Sequence, residues 1–454
     1  MKIIIVGGGK IGATLIENLE AEGHDITLID SEQKVIDEIS NIYDVMCVCG
    51  NAVDNDTLNE AQVSKAELLI AVTESDEINM LICFIAKKMG ASYTVARVRN
   101  PEFNDKRMAE VKQFLDISLS INPELLAAQE IFNVLKLPAA INIETFSRRN
   151  FSMIELLLKE GSHLDGMSLI ELRKKYNLNF LISVVKRDEE IYIPDGNFVL
   201  KCGDHICLTA NFTEIQKLLK ELGLSKRQSK SVMILGATTT SYYLAKMLLR
   251  SGTEVTIIDK DKDRCNRFAE ELPGAVIING DGAEQEVLME EGITTVDAFT
   301  ALTGIDEENI LISIFAQSQN VPRVVAKVNR SELASMAEKL GLDSIVSPKK
   351  AASNVITSYA RAIENSVGSN VETMYKLMDG RVEALEFNVQ PDFKNQNIPL
   401  KDMKLKKDVL IAGIIRKRKA FVPNGLDEIM AGDKIIVIAK SGEEKMNDLA
   451  DILR

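Results

Sequence analysis

Residues 2–12 read KIIIVGGGKIG, an apolar run rich in isoleucine that empties into a G-x-G-x-x-G loop and then into a segment with helix-like apolar spacing. The order strand, glycine loop, helix separates a dinucleotide fingerprint from a chance cluster of glycines. In Gly7-Gly8-Gly9-Lys10-Ile11-Gly12, Gly7 permits the tight turn, Gly9 lets the backbone approach a pyrophosphate, and Gly12 allows helix and strand to pack closely. The helix that opens behind the loop favours phosphate charge at its N-terminus. Asp30 follows about 18 residues after Gly12, at the end of the apolar run ITLID. A carboxylate there accepts hydrogen bonds from both ribose hydroxyls and repels a 2′-phosphate, which favours NAD or adenosine over NADP.

Outward from this loop, short β-branched runs alternate with helical patterns. Strands are expected at Lys2–Val6, Asp25–Ile29, Val45–Cys49, Leu68–Val72, Tyr93–Val98 and Ile117–Ile121. Helices are expected at Thr14–Glu22, Gln33–Ile39, Asp76–Met89, after Pro101, and at Glu124–Leu135 behind Pro123. This is the βαβ alternation of a doubly wound parallel sheet. Its topology brings three further stretches to the same crevice: Gly50-Asn51-Ala52 toward the adenine, Thr73-Glu74 toward ribose or phosphate, and Arg97 toward a terminal phosphate. A salt bridge is the alternative for Arg97, and a helix cap is the alternative for Asp76.

The whole pattern then recurs. About 229 residues later, SVMILGATTTS, VTIID, GDGAEQEVL, TGIDEENIL and VAKVNRSEL follow in the order of their first-copy counterparts, so a domain is duplicated. The second copy runs from Ser231, and Pro348 takes the part of Pro123. Its loop, Gly236 to Ser241, keeps only the first glycine. Thr238 brings a branched side chain to where a pyrophosphate would lie, and Ser241 crowds the helix against the strand. Dinucleotide binding in the same pose is therefore not expected. Asp259, Asp281 and Thr303 persist, which leaves a weaker or different adenosine ligand as the alternative.

Behind each copy lies a smaller module without a glycine-rich loop. IYIPDGNFVLKCGDHICL and AFVPNGLDEIMAGDKIIVI match, with Gly203-Asp204 against Gly432-Asp433, each read as a turn feeding a strand. The expected architecture is α/β: Rossmann-like domains at 1–122 and 231–348, and small α+β domains at 140–222 and 371–454. The polar stretch Gly223 to Lys230 is the expected linker.

Composition narrows the function. The chain has 454 residues, 46% hydrophobic and 27% charged, as ordinary globular domains do. A net charge of -13 argues against a general nucleic-acid binder, which needs Lys and Arg to neutralise phosphates. Cys47, Cys49, Cys83, Cys202, Cys207 and Cys265 form no C-x-x-C pair and are expected as buried thiols of a reducing compartment. His24, His163 and His205 are too scattered for a zinc site and are read as surface or packing residues. No apolar run approaches the roughly 20 residues that cross a bilayer, and MKIIIVGGG lacks the pattern of a signal peptide, so a cytoplasmic protein is expected.

Catalytic signals are weak. No convincing proton donor or base accompanies the cofactor motif, the P-loop pattern is absent, and Tyr242-x-x-x-Lys246 stands at the start of the degenerate copy's first helix. Lys404, Lys406 and Lys407, with Arg416, Lys417, Arg418 and Lys419, read as a solvated turn, the alternative being a surface for an acidic membrane or partner.

GGGKIG, ITLID, GNAVDNDTL, TESDEINM and VARVRNP, followed by a small module and then by the whole arrangement again, resemble the TrkA family, tandem RCK (KTN) domain subunits of Trk potassium uptake systems. The resemblance covers essentially the entire chain. It implies a cytoplasmic, homo-oligomeric regulator, a dimer or tetramer ring, on a membrane potassium transporter of the TrkH or TrkG type. It also implies NAD or NADH in the first copy, with ATP or ADP as alternatives at the same site. By the family pattern Gly7 to Ile11, Asp30, Thr73 with Glu74, and Arg97 hold the dinucleotide. An NAD-dependent oxidoreductase, and an RCK-type regulator of another channel or antiporter, are the alternatives.

Overall fold

The computed structural model describes residues 1–104, 114–136, 142–146, 151–176, 178–222, 229–342, 344–366, 371–378, 381–417, 419–441, 446 and 448–453. In the first copy β1 (Lys2–Val6), β2 (Asp25–Asp30), β3 (Met46–Cys49), β4 (Leu68–Ala71), β5 (Tyr93–Arg97) and β6 (Leu119–Ile121) form one parallel sheet. Their order is β3-β2-β1-β4-β5-β6, which reverses direction between β1 and β4. That reversal opens a crevice at the carboxyl ends of the strands, the place where such folds bind ligands. Ile3, Ile4 and Ile5 are fully buried, as a central strand covered on both faces requires.

The helices are α1 (Lys10–Glu20), α2 (Gln33–Ser40), α3 (Asn55–Glu60), α4 (Asp76–Met89) and α5 (Pro123–Lys136). The start of α4 follows from its sequence: the Ser75 hydroxyl accepts from the Ile78 N–H at 3.2 Å, and Asp76 and Glu77 sit in the first turn. Met80, Ile82, Cys83 and Ala86 face the core, and Gly90, in the left-handed region at φ 118°, ends the helix. Helix α1 begins at Lys10, four residues before the expected Thr14. The expected helix beyond Pro101 appears as a short 3-10 turn, Pro101–Asn104, with residues 105–113 outside the described set.

The first small module holds an antiparallel sheet of β7 (Asn142–Phe146), β8 (Phe151–Leu157), β9 (Phe180–Arg187), β10 (Glu190–Tyr192) and β11 (His205–Asn211), ordered β10-β9-β11-β8-β7. Two helices, α6 (Leu169–Lys175) and α7 (Phe212–Glu221), accompany it. The expected linker lies largely outside the described residues, which resume at Ser229.

The second copy repeats the first sheet with β12 (Ser231–Leu235), β13 (Glu254–Asp259), β14 (Val276–Asn279), β15 (Ala298–Ala301), β16 (Val324–Lys327) and β17 (Ile345–Val346). The order is again the classical one, β14-β13-β12-β15-β16-β17. Its helices are α8 (Thr239–Arg250), α9 (Lys262–Glu271), α10 (Gln285–Glu290), α11 (Asp306–Ser318), α12 (Ser331–Lys339) and α13 (Pro348–Ser366). The second small module has β18 (Val371–Leu377), β19 (Val382–Asn388), β20 (Val409–Arg416), β21 (Lys419–Phe421) and β22 (Lys434–Lys440), ordered β18-β19-β22-β20-β21. Its described helical content is two short 3-10 turns, Leu400–Asp402 and Leu449–Ile452.

The four segments group as like with like. One compact unit is Met1–Ile131 with Ser231–Ala360, and the other is Phe132–Lys230 with Arg361–Arg454. Within the second unit the two modules share an apolar layer in which Phe151, Met153 and Val184 of one meet Val382, Ala412 and Ile438 of the other. Gly413 is required there, because a Cβ would lie 2.6 Å from the Phe151 ring. Both Gly-Asp pairs do form turns into strands, with Gly203 at φ 88° and Gly432 at φ 79°. Each Asp also grips an arginine: Asp204 takes Arg187 at 2.7 and 2.8 Å, and Asp433 takes Arg416 at 2.9 and 2.7 Å.

Arg416 is thereby committed to its own module instead of an outer surface. Lys417 and Lys419 remain exposed at the hairpin, and Arg418 falls outside the described residues. Among the cysteines, Cys83, Cys207 and Cys265 are buried and Cys47 is half-buried. Cys49 and Cys202 are exposed, against expectation, because each sits where its strand or turn gives out. His24 is buried, His163 exposed, and His205 pairs with Glu155 at 3.1 Å.

Candidate functional site

The crevice of the first copy is assembled from strand ends. Gly7 leaves β1 at φ 101°, a conformation that favours glycine, and a Cβ on it would lie 3.1 Å from the Thr73 backbone nitrogen. The Gly8 N–H donates to Asp30 Oδ2 at 2.7 Å, while Asp30 Oδ1 accepts from the Glu32 N–H at 2.9 Å. Asp30 therefore fixes the loop and keeps further lone pairs on each oxygen. Gly12 is fixed by packing: a Cβ there would stand 1.9 Å from the Gly7 carbonyl oxygen.

Gly9 differs from its neighbours. It is exposed, and an added Cβ would meet nothing within 4 Å. Among the described residues nothing packs against this position, so a side chain here would project into open space. Gly9 is also the N-cap of α1 without a side-chain cap, which leaves first-turn N–H groups open beside it. Lys10 is exposed, and Ile11 is turned into the core.

The remaining expected residues divide. Asn51 is exposed, its Oδ1 accepting from the Val53 N–H at 3.2 Å, and the Gly50 N–H donates to the Asp30 carbonyl at 2.9 Å. Ala52 packs in the core at 7% exposure and offers a ligand only backbone. Thr73 faces the loop but its hydroxyl donates to Asn79 Oδ1 at 2.7 Å. Glu74 is exposed, and its carbonyl accepts from the Arg99 guanidinium. Arg97 Nη1 donates to the Thr73 carbonyl at 3.4 Å, and Nη2 stands 3.5 Å from Glu124 Oε1. Burial pulls the Arg97 guanidinium below its ordinary pKa, with Glu124 opposing. The salt bridge expected as the alternative is thus present, though long.

Asp76 neither caps α4 nor reaches the crevice, since Ser75 is the cap. Its Oδ2 accepts the N–H groups of both Arg99 and Asn100 at 2.8 Å, strapping β5's exit to the start of α4. Asn79 was not singled out from sequence. Fully buried, it bonds the Thr73 N–H at 2.9 Å, the Thr73 carbonyl at 3.2 Å and the Arg97 carbonyl at 3.0 Å, and so sets the ends of β4 and β5. Asn309 repeats each bond on Thr303 and Lys327. The shared D-x-x-N of SDEIN and IDEEN was the available signal.

In the second copy the opening is closed from within. Thr238 N-caps α8, its hydroxyl accepting from the Ser241 N–H at 3.4 Å and sharing a 3.0 Å bond with the Ser241 hydroxyl. The expected crowding at Ser241 is relieved because its hydroxyl donates to the Gly236 carbonyl. Asp259 grips the loop as Asp30 does, accepting from Ala237 and Asp261 N–H groups at 2.6 and 2.8 Å. It has persisted as a loop anchor, which such a carboxylate is with or without a ribose. Tyr242 and Lys246 pair with each other along α8, at 3.2 Å.

The TrkA-N domain family matches residues 3–115 and 232–348, and the TrkA-C domain family matches 153–223 and 385–452. A Trk system potassium uptake protein TrkA homolog of Archaeoglobus fulgidus is 32% identical over 453 residues, spanning 99% of this chain and all of that one. The Trk system potassium uptake protein TrkA of Haemophilus influenzae is 28% identical over 443 residues, 96% of this chain and 95% of its own. Among solved structures the GsuK channel superposes with a TM-score of 0.65 at 17% identity, covering 97% of this chain and 77% of that one. The GsuK channel bound to NAD gives 0.63 at 18% identity, with the same coverage. These two likenesses concern the fold. Among the described residues no helix is long and apolar enough to cross a membrane.

Proposed function

The chain belongs to the TrkA family of Trk-system potassium uptake proteins, and from that premise we propose that it is a cytoplasmic regulatory subunit that binds NAD or NADH and gates a membrane potassium transporter. In this reading 1–122 and 231–348 are the Rossmann-like domains, and 140–222 and 371–454 are the small ones. The dinucleotide lies over Gly7 to Gly12, with its pyrophosphate against Gly9 and the open first turn of α1. Asp30 takes a ribose, Asn51 and the backbone of Ala52 flank the adenine, and Thr73, Glu74 and Arg97 border the phosphate end. ADP or ATP fits the same adenosine half. The partner is a transporter subunit of the TrkH or TrkG type, met by a homo-oligomeric ring. The role is regulation, with no catalytic residue assigned.

The observation that carries this reading is the contrast at one position. Gly9 is open and its helix uncapped, whereas Thr238 at the same place caps its own helix. A ligand held there shifts gating by its differential affinity for two arrangements of the protein, and a tenfold difference is about 1.4 kcal/mol. Calorimetric titration with NAD, NADH, ADP and ATP, beside Gly9→Val, tests it. Saturation near one ligand per chain, lost in the variant, is expected; full binding by the variant would sink the assignment.

A further inference from the structure

We propose that Tyr243 of the second copy reads out the state of the first copy's nucleotide site, so that the second copy senses whether that site is filled. The proposal rests on the nucleotide reading of the first copy. Tyr243 stands on α8, the helix behind the degenerate loop, and is buried at 8% exposure. Its hydroxyl donates to the Arg99 carbonyl at 3.0 Å and accepts from Asn122 Nδ2 at 2.9 Å. Asn122, itself buried, also donates to the Arg99 carbonyl at 3.0 Å, and its Oδ1 accepts from the Leu125 N–H at 2.9 Å. One amide thus ties together the exit of β5, the start of α5 and a tyrosine of the other copy.

The tie ends at the candidate site. The Arg99 N–H is held by Asp76, and its guanidinium holds the Glu74 carbonyl next to Thr73. Glu124, two residues beyond Asn122, faces Arg97 at 3.5 Å, and its charge also reaches Lys327 of the second copy. Lys327 is buried and donates to the Leu302 carbonyl at 3.2 Å. Burial pushes its ammonium below the usual lysine pKa, with Asp306 and then Glu124 drawing it back. Among the described residues Arg97 Nε and Glu124 Oε2 are buried without a hydrogen-bond partner, so this ion pair is only half made. A phosphate offers the planar Arg97 guanidinium a stronger, bidentate partner, and its arrival loosens the hold of Arg97 on Glu124. The β5–α5 corner then shifts against the Tyr243 hydroxyl and Lys327, a discrete contact whose two arrangements both copies bias.

The tyrosine tie has no counterpart in the opposite direction among the described residues, where Asn18 of α1 instead donates to the Ser353 hydroxyl of α13 at 2.8 Å. Thr14 takes the place of Tyr243 in the first copy, and its hydroxyl only returns to the Lys10 carbonyl at 3.1 Å. Ser347 takes the place of Asn122, and its hydroxyl only accepts from the Lys350 N–H at 3.3 Å. The copy that has lost the glycines is the one that carries the reaching tyrosine.

Peptide-resolved amide exchange on the full chain, with and without saturating NADH, tests the link in the wild type, Tyr243→Phe and Lys327→Met. NADH is expected to slow exchange at residues 7–12 and, in the wild type, to change exchange across α8, where no ligand sits. In Tyr243→Phe the first effect stays, with affinity within about threefold of wild type, and the second is lost. Lys327→Met folds and shows a reduced α8 response. A purely structural tyrosine would loosen α8 equally with and without NADH, leaving the ligand-dependent change intact, and that result would overturn the proposal. So would an α8 indifferent to NADH in the wild type. Absence of any protection at residues 7–12 would instead overturn the nucleotide reading itself, and this inference with it.

Discussion

At the scale of single residues, two glycines of one motif stand in opposite settings. Gly12 answers to the protein, since its Cβ would stand 1.9 Å from the Gly7 carbonyl, while a Cβ on Gly9 would meet no described atom within 4 Å. Ser241 shows how the fold accommodates a side chain at the Gly12 position, by turning the hydroxyl onto the loop carbonyl. Gly12→Ser is therefore expected to fold, at a cost of about 1–3 kcal/mol in denaturant titration, and to bind NADH more weakly because the loop has moved. The second copy also carries a buried liability. Thr300 is fully buried where the first copy has Ile70, and its hydroxyl has no hydrogen-bond partner among the described residues. Thr300→Val removes that hydroxyl at nearly constant shape and should stabilise the protein by about 1 kcal/mol in urea melts. A loss of stability would mean that the hydroxyl is satisfied. The close packing at Gly12 was legible in the motif, and the structure adds that Gly9 faces open space.

At the scale of elements, the alternation of strands and helices was readable because apolar runs and helical spacing agree with each other along each copy. The start of α1 was not. Gly12 argues locally against helix by about 1 kcal/mol relative to alanine, and the expected start was set at Thr14. Tertiary packing overrides that preference, because Gly12 lies tight against the Gly7 carbonyl, and the helix begins at Lys10. What sequence could not supply was contact across elements. Tyr243 meets Arg99 across 144 residues of chain, and Asp76 and Asn79 reach β5 from the first turns of α4. Asn79 is the clearest case. It is fully buried and bonds the N–H, hydroxyl and carbonyl of Thr73 together with the Arg97 carbonyl, so the ends of two strands depend on one side chain. Asn79→Ala leaves several of these groups unpaired, each at roughly 1–3 kcal/mol in a buried setting. A loss of at least about 2 kcal/mol in equilibrium unfolding is expected, with weaker NADH binding, because Thr73 and Arg97 are no longer held. An unchanged affinity would separate these strand ends from the ligand.

At the scale of the molecule, duplication has yielded two copies with different duties inside one compact unit, while the paired small modules form another around their own apolar layer. The first copy keeps an opening that no described residue fills, and the second has converted the same opening into a helix cap. If the copies form one cooperative body, ligand stabilisation must spread beyond the copy that holds the ligand. At a free NADH concentration a hundredfold above Kd, binding to the native state alone contributes about 2.7 kcal/mol. Slow, globally opening amides in both 1–131 and 231–360 should gain protection of that order, including amides of the second copy far from any nucleotide. Amides in 132–230 and 361–454 should gain little, since their unit has a separate core. Protection confined to 1–131 would show that the two copies open independently despite the Tyr243 junction. Equal protection throughout the chain would show that both units unfold in a single step, and either pattern is readable from one exchange time course.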